Sequence, residues 1–367
     1  MNYDALIVGG GLAGSTIAGS LAAAGRDVVL LEKTTAAHDK MCGDFLSQEA
    51  LHYLAQSEVD PIGLGGVPLS AVRVARRDLL AEAPLPFKAV SLRRRVLDEV
   101  LLQRAATLGC SIRRGVRAQS ISLQGQRVAI RLESEAPLTS ESLFLATGKH
   151  DLNGKPRRGG WQNNLIAFKM YFRLSSVQQQ EIARHIELIL FPGGYAGLQP
   201  VDAGMANLCL LVTLHQFKRC GSSWMRLLEA ICAHSPHLAK RLLGSVPTLE
   251  RPLALSSIPY GYLATPSVPQ IWRVGDQFAV IPSFSGDGMS IALHSAHLAA
   301  AMYLEGQSSN TFAAQLRHQL RPAVTLATGI SQLLVRLPHA ASILRLSPSL
   351  VSRIASATRI PSRCLLP

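Results

Sequence analysis

Gly9, Gly11 and Gly14 stand at a spacing that can cradle a pyrophosphate, and Glu32 follows 23 residues after the first of them. The glycines permit a tight turn, close backbone approach to phosphates and tight packing of the following helix on the strand before it. Leu12 and Ala13 would open that helix, whose unpaired N–H groups face an anion. An acidic side chain ending the second strand accepts hydrogen bonds from ribose hydroxyls. These residues need a strand, a turn, a helix and a second strand to position them, and the pattern supplies that order. Tyr3 to Val8 is a short apolar run, Leu12 to Ala24 is rich in alanine, and Asp27 to Leu31 is apolar up to Glu32. Glycines alone would mark only a packed turn; with both strands, the helix and the acid, the segment reads as an adenine-dinucleotide site.

The 367 residues are 48% hydrophobic, with a mean hydropathy of +0.19, which places the chain among globular proteins. Lys and Arg number 37 against 24 Asp and Glu, a formal charge of +13, so an anionic partner is expected. Aromatic content of 5%, with no basic block interleaved with aromatics, sets nucleic acid aside. The six cysteines form no CxxC pair and no His/Cys cluster at metal spacing. They read as reduced thiols of a cytoplasmic protein without a metal. Ala5 to Ala24 is apolar and uncharged over 20 residues, but the strand-turn-helix accounts for it without a membrane span or leader. From Gly306 to Pro367 there are seven Arg and no acidic residue, with apolar segments at Ala340–Leu346 and Leu350–Ile354 set off by Pro338, Pro348 and Pro361. This predicts amphipathic helices with a basic face, suited to a peripheral membrane contact or an acyl-carrying partner.

Helices are expected near Ser47–Ala55 and Arg95–Leu108, and strands near Ser111–Val116, Val128–Leu132 and Leu143–Ala146. Leu165 to Leu174 alternates, with Phe168, Met170, Phe172 and Leu174 on one face and Lys169, Tyr171 and Arg173 on the other. The second face reads as solvated. His185–Phe191 and Asn207–Leu214 extend a mostly antiparallel sheet, and Trp224–Ala233 and Leu238–Leu243 read as helices at its edge. Gln270–Val274 then returns as a strand before a glycine-rich turn and a helix over Met289–Leu304. The fold expected is α/β: a discontinuous Rossmann-type nucleotide domain over 1–160 and 265–335, an inserted sheet domain over 161–264 and a basic helical tail over 336–367.

The stretch Trp272 to Met289, containing Gly275-Asp276 and Gly286-Asp287-Gly288, resembles the Gly-Asp motif and flavin-proximal turn of the p-hydroxybenzoate hydroxylase and geranylgeranyl reductase superfamily of FAD enzymes. Lys40-Met41-Cys42-Gly43 looks like that family's Lys-x-Cys-Gly loop, Arg94 to Asp98 like its Arg-x-x-Leu-Asp helix start, and Ala146-Thr147-Gly148 like the element that closes over the dinucleotide. The resemblance implies FAD as cofactor and a substrate-binding role for the middle sheet. It implies cofactor contacts at Gly9, Gly11, Leu12, Ala13, Gly14, Glu32, Lys33, Lys40, Cys42, Gly43, Arg94, Ala146, Thr147, Gly148, Gly275, Asp276, Gly286, Asp287, Gly288 and Met289. Backbone N–H groups opening the helix after Gly288 would stabilise negative charge at the pyrimidine edge of the flavin. The chain departs from the aromatic hydroxylases by lacking their Asp-Gly motif near Ala146–Asp151, and it has no second GxGxxG. Reducing equivalents would come from NAD(P)H directly or through a partner reductase. The chain looks closest to reductase-like bacterial flavoproteins, including those accompanying type III polyketide synthases.

Cys42, Asp44 and Asp287 are the residues this reading offers for catalysis; packing for the thiol and loop hydrogen bonds for the carboxylates are the plainer roles. His294 and His297 on an apolar helix read as packing or surface residues, and Gly193–Gly197 as either a hairpin corner or room for substrate. The expected activity is an FAD-dependent oxidoreductase of a hydrophobic compound, with hydroxylation of an aromatic or polyketide-like substrate ahead of reduction of an isoprenoid alkene. A non-catalytic FAD- or lipid-binding partner in a biosynthetic complex is the reading from another class.

Overall fold

Two sheets meet along one long cavity in the computed structural model, which describes residues 2–152, 157, 159–202, 204–266, 268–336 and 348–367. The first sheet runs in the order Ser111–Arg114, Val28–Glu32, Asn2–Val8, Leu138–Leu145, Arg127–Leu132, Ala118–Gln124, with Ile271–Arg273 also paired to Leu138–Leu145. Its central pairs are parallel, Ala5 opposite Val28 and Val8 opposite Leu145, whereas Arg127–Leu132 pairs antiparallel on both sides. All five residues of Val28–Glu32 are buried: Val28 and Leu30 pack under the helices, while Val29 and Leu31 pack with Val128, Ile130 and Leu132 of the antiparallel strand Arg127–Leu132, so the strand is covered on both faces of the sheet. The helices Leu12–Ala23, Arg94–Thr107 and Gly288–Leu304 pack together against it. Their alanines, serines and glycines let backbones approach closely; Leu12–Ala23 has ten buried residues among its twelve, which an amphipathic surface helix could not accommodate.

The second sheet has nine strands, in the order Val246–Pro247, Leu165–Arg173, Met205–Thr213, Gly194–Asp202, His185–Phe191, Val67–Arg76, Leu79–Ser91, Phe45–Leu46, with Leu253–Ser256 also on Leu165–Arg173. It is antiparallel except where His185–Phe191 runs parallel to Val67–Arg76. Three of its strands lie between residues 45 and 91, a stretch that the expected boundaries gave wholly to the nucleotide domain. Pro68, Pro84 and Pro86 hide those strands in the sequence, since proline argues against a strand interior, and the pairing shifts register between Leu69 and Ala71. The long helix Ser309–Arg336 carries Pro322 in its interior, the residue that ordinarily ends a helical pattern.

The alternation at Leu165–Arg173 is correct for one face and wrong for the other. Phe168, Met170 and Phe172 enter the apolar core under the helices Trp224–His234 and Pro236–Leu242. Lys169 and Tyr171, however, are fully buried, and only Arg173 is exposed. They face the first domain instead of water, and Asp44 is what makes that possible. The Lys169 ammonium lies 2.8 Å from Asp44 Oδ2, which also accepts hydrogen bonds from the Tyr171 hydroxyl at 2.7 Å and Asn207 Nδ2 at 3.0 Å. A buried charge persists only when paired and hydrogen-bonded.

The predicted apolar segment Ala340–Leu346 lies outside the described residues. Pro348–Ala357 is a helix, in line with the expected segment Leu350–Ile354. Beyond it the chain crosses to the helix Gln48–Gln56, where the Leu366 N–H donates to the Tyr53 hydroxyl and Gln56 Nε2 donates to the carbonyls of Leu366 and Pro367. Among the described residues, no helix is long and apolar enough to cross a membrane.

Candidate functional site

The strand Asn2–Val8 delivers the chain into Gly9 at φ +108°, a conformation that favours glycine. A Cβ at Gly9 would sit 2.5 Å from the Ala146 carbonyl oxygen, and one at Gly14 would sit 1.9 Å from the Gly9 carbonyl oxygen. These two glycines therefore serve the crossing of strand, helix and the Ala146–Gly148 turn. Gly11 differs: what a Cβ would meet there is the Arg94 guanidinium and the Lys40 ammonium, each at 3.5 Å. Bare backbone at a helix start, faced by two cations, is a cradle for a pyrophosphate.

Asp98 holds those cations in place. Arg94 binds it through Nε at 2.7 Å and Nη2 at 2.9 Å, and Lys40 Nζ reaches it at 2.9 Å. Burial alone would push the Asp98 carboxyl up, but the paired Arg94 and Lys40 hold it below its ordinary value. Glu32 is likewise buried, which opposes its charge. Lys40 and hydrogen bonds from Thr34 and Gly10 outweigh that and lower its pKa. It accepts from the Gly10 N–H at 2.7 Å and from the Thr34 hydroxyl at 2.8 Å. The acid predicted for ribose binding thus also braces the phosphate turn.

The far turn reaches the same cavity. Gly275 is left-handed at φ +58° and donates its N–H to Ser295 Oγ at 2.8 Å. Asp276 pairs with Lys149 at 3.0 Å; burial disfavours the lysine's charge, yet Asp276 keeps its pKa raised. Arg157 ties the two loops further, donating to the carbonyls of Asp276 and Lys149, and Gln277 Nε2 donates to the carbonyls of Gly148 and His150.

One cavity of about 900 Å³ connects these turns with the inner face of the second sheet. Gly9, Gly11, Leu12, Ala13, Glu32, Lys33, Lys40, Cys42, Gly43, Arg94, Ala146, Thr147, Gly148, Gly275, Asp276, Gly286, Gly288 and Met289 all line it. Gly14, Asp44 and Asp287 do not. Gly14 is taken up by the strand-helix crossing, and Asp44 by the Lys169 network behind the cavity wall. Asp287 is buried with its Oδ1 2.7 Å from Arg359 Nη1, while its Oδ2 has no hydrogen-bond partner among the described residues. Burial raises the Asp287 carboxyl to about 7; Arg359 pulls it down and Glu49 pushes it up. Both carboxylates expected to act on substrate are therefore enclosed in ion pairs, and of the three expected catalytic groups only Cys42 faces the cavity.

At its other end the cavity is apolar, walled by Val72, Val74, Phe87, Ile186, Leu188 and Leu255 from the sheet and by Ile330, Leu334 and Ile354 from the C-terminal helices. Gly197 opens onto it with its nearest neighbour 3.9 Å from a would-be Cβ, whereas Gly193 at φ +79° forms the hairpin corner. The hairpin corner is thus at Gly193, and Gly197 lines the cavity. Two tyrosines supply hydroxyls in this region: Tyr195 OH lies 3.2 Å from Ser283 Oγ, and the Ser283 N–H donates to Tyr260 OH at 3.3 Å. Burial pushes Tyr260 up to about 12 and Tyr195 well above its ordinary value, so both are neutral donors. Cys209 also faces the cavity, its thiol pushed up to about 12 by burial. Asp98, Lys149, Arg157, Tyr195, Cys209, Tyr260 and Arg359 were not among the expected site residues. Asp98 and Lys149 had a signal in the Arg-x-x-Leu-Asp and Gly-Lys-His-Asp strings; Arg157, the tyrosines, Cys209 and Arg359 had none.

Residues 2–142 match the profile of a family described as FAD binding domain. The chain is 25% identical over 324 residues to a menaquinone reductase of Mycolicibacterium smegmatis, covering 83% of this chain and 76% of that one. It is 28% identical over 225 residues to digeranylgeranylglycerophospholipid reductase 2 of Methanopyrus kandleri, covering 57% and 54%. A flavoprotein/dehydrogenase of Cytophaga hutchinsonii superposes with a TM-score of 0.80 at 15% identity, over 98% of this chain and 92% of that chain. The cofactor of the cradle is FAD: the turn at Gly11, its two cations and the second turn at Asp276 fit an anionic dinucleotide extended between them.

Proposed function

We propose that the chain is an FAD-dependent oxidoreductase of the kind that includes the geranylgeranyl reductases, and that it reduces a carbon–carbon double bond in an elongated hydrophobic substrate of the isoprenoid or prenylated-quinone kind. The observation that carries this reading is the apolar end of the cavity, which continues from the flavin-side turn to the C-terminal helices, with Tyr195, Tyr260, Cys42 and Cys209 among the groups that offer protons along it. The two curated relatives support it by their names, one a reductase of menaquinone and the other of a digeranylgeranyl phospholipid.

When bound and reduced by NAD(P)H or a partner reductase, FAD would supply the two electrons as a hydride equivalent. The chain's own residues do the rest. Lys40 and Arg94, fixed by Asp98, hold the pyrophosphate; Asp276, fixed by Lys149, holds the ribityl region; and the N–H groups opening helix Gly288–Leu304 favour negative charge at the ring's pyrimidine edge. The apolar wall excludes water and presses the alkene against the ring. The Cys42 thiol delivers a proton to the carbon that does not receive hydride and regains one from solvent. Asp44 positions Cys42: its own N–H donates to Cys42 Sγ at 3.4 Å, and Asn207, which donates to Asp44, also donates to the Cys42 carbonyl.

Oxygenation of an aromatic compound is the second reading, favoured by the Tyr195–Ser283–Tyr260 chain, which could orient a phenol or carbonyl. The test is turnover of a menaquinone and of a geranylgeranyl lipid by photoreduced protein under strict anaerobiosis. Saturated product without oxygen supports reduction. Labelled oxygen in the product, with no anaerobic turnover, overturns it in favour of hydroxylation, and no redox turnover with either class favours a binding role alone.

A further inference from the structure

A second, smaller concavity of about 360 Å³ lies on the outer side of the molecule and takes in Arg157, Arg273, Arg317 and Arg321 together with Trp161 and Tyr262. Among the described residues, no carboxylate lines it. Arg157 is paired with Asp151, but the other three form no ion pair among the described residues. Arg317 donates to the carbonyls of Leu263 and Ala264 and Arg273 to Gln277 Oε1, contacts that fix the guanidiniums without neutralising them. Three like charges gathered in one concavity repel one another unless an anion joins them, and guanidinium groups suit the oxygens of a phosphate.

What surrounds the concavity indicates how the phosphate arrives. Trp161 is 63% exposed, and on the neighbouring helix Leu326 and Leu333 are 42% and 43% exposed. Arg321, Thr325, Leu326, Leu333 and Arg336 share one outward side of Ser309–Arg336, all of them exposed. Leu333 also lines the main cavity, so this helix face borders its mouth. An exposed indole beside outward leucines and arginines, with no acidic residue after Glu305, is chemistry suited to the headgroup layer of an anionic bilayer.

We propose that this face seats the protein on an anionic phospholipid bilayer, with a headgroup phosphate held in the arginine concavity and the cavity mouth turned to the lipid. The proposal rests on the reading of a hydrophobic substrate for its purpose, but its test does not use activity. The FAD-loaded full chain is sedimented with vesicles of phosphatidylcholine alone and with vesicles containing a minority of phosphatidylglycerol. Binding is expected only to the second kind, weakening with salt, with brominated acyl chains quenching the fluorescence of Trp161 and not that of a Trp161→Phe variant. Arg321→Gln should weaken binding about fivefold, the effect of one basic residue near such a surface, and Arg321→Gln with Leu326→Gln further, both with unchanged FAD absorbance and unfolding midpoint. Equal binding to neutral and anionic vesicles, binding to neither, or unaltered binding by the double variant overturns the proposal. So does retention of soluble glycerol phosphate without vesicle binding, which would mark a free-phosphate site.

Discussion

Arg359→Gln tests the electrostatic reasoning most severely, because one guanidinium serves two buried acids. Arg359 Nη1 lies 2.7 Å from Asp287 and 3.7 Å from Glu49, and Nη2 donates to the Ser285 carbonyl at 3.1 Å. Ser47 Oγ donates to Glu49, and among the described residues Asp287 Oδ2 has no hydrogen-bond partner. A carboxyl raised from 3.8 to about 7 by folding binds its proton more tightly folded than unfolded. Its stabilising share is therefore complete below the unfolded value and is lost as pH rises through the folded one, a swing of about 4 kcal/mol across that window. Removing Arg359 deletes the interaction that pulls the carboxyl down, so the variant should keep losing stability above pH 7, where the wild type levels off. Breaking a buried pair costs about 3–5 kcal/mol when a charge is left behind, and that is the expected destabilisation at pH 8. At pH 5, where Asp287 holds a proton in both proteins, the cost should fall by at least about 1.5 kcal/mol. Urea unfolding of FAD-loaded protein at the two pH values measures both. Equal destabilisation at pH 5 and pH 8 would refute the argument.

Arg94→Ala removes a charge-assisted contact worth about 1.5–3 kcal/mol and should raise the FAD dissociation constant about 10- to 100-fold by fluorescence titration; an unchanged constant would deny Arg94 its phosphate. Gly286→Ala places a Cβ 2.6 Å from the Phe45 ring at φ +75°, so unfolding should show a loss of at least about 1–2 kcal/mol, and a change within the error of the midpoint would mean that the turn relaxes freely. Cys42→Ser should lower kcat about 10²-fold or more while leaving KM and FAD absorbance near wild type, the mark of a lost proton donor; an unaltered kcat would hand that role to solvent.

The nucleotide end of the site was legible because its chemistry is local. Gly9, Gly11, Gly14 and Glu32 lie in one strand-turn-helix-strand, and their spacing carries the geometry. The strand ends at Leu145 and Arg273 could likewise be placed because the turns after them are strings of small residues. The second sheet was legible only where it alternates cleanly. Its strands between residues 67 and 91 carry prolines and a register shift that mask the period. Lys169 and Tyr171 show the limit most clearly: period two assigns them to one face, but whether that face meets water or Asp44, 125 residues away along the chain, is decided by tertiary packing. Arg359 lies 72 residues from Asp287, and no local pattern connects the two.

The most direct test of the account is the structure of the chain crystallised with FAD. The account predicts one molecule per chain, its pyrophosphate against the N-terminus of helix Leu12–Ala23 between Lys40 and Arg94, its ribityl chain beside Asp276 and its ring at the Gly286–Gly288 turn. A cofactor held at only one of the two glycine turns, or lying outside the cavity that joins them, would contradict it.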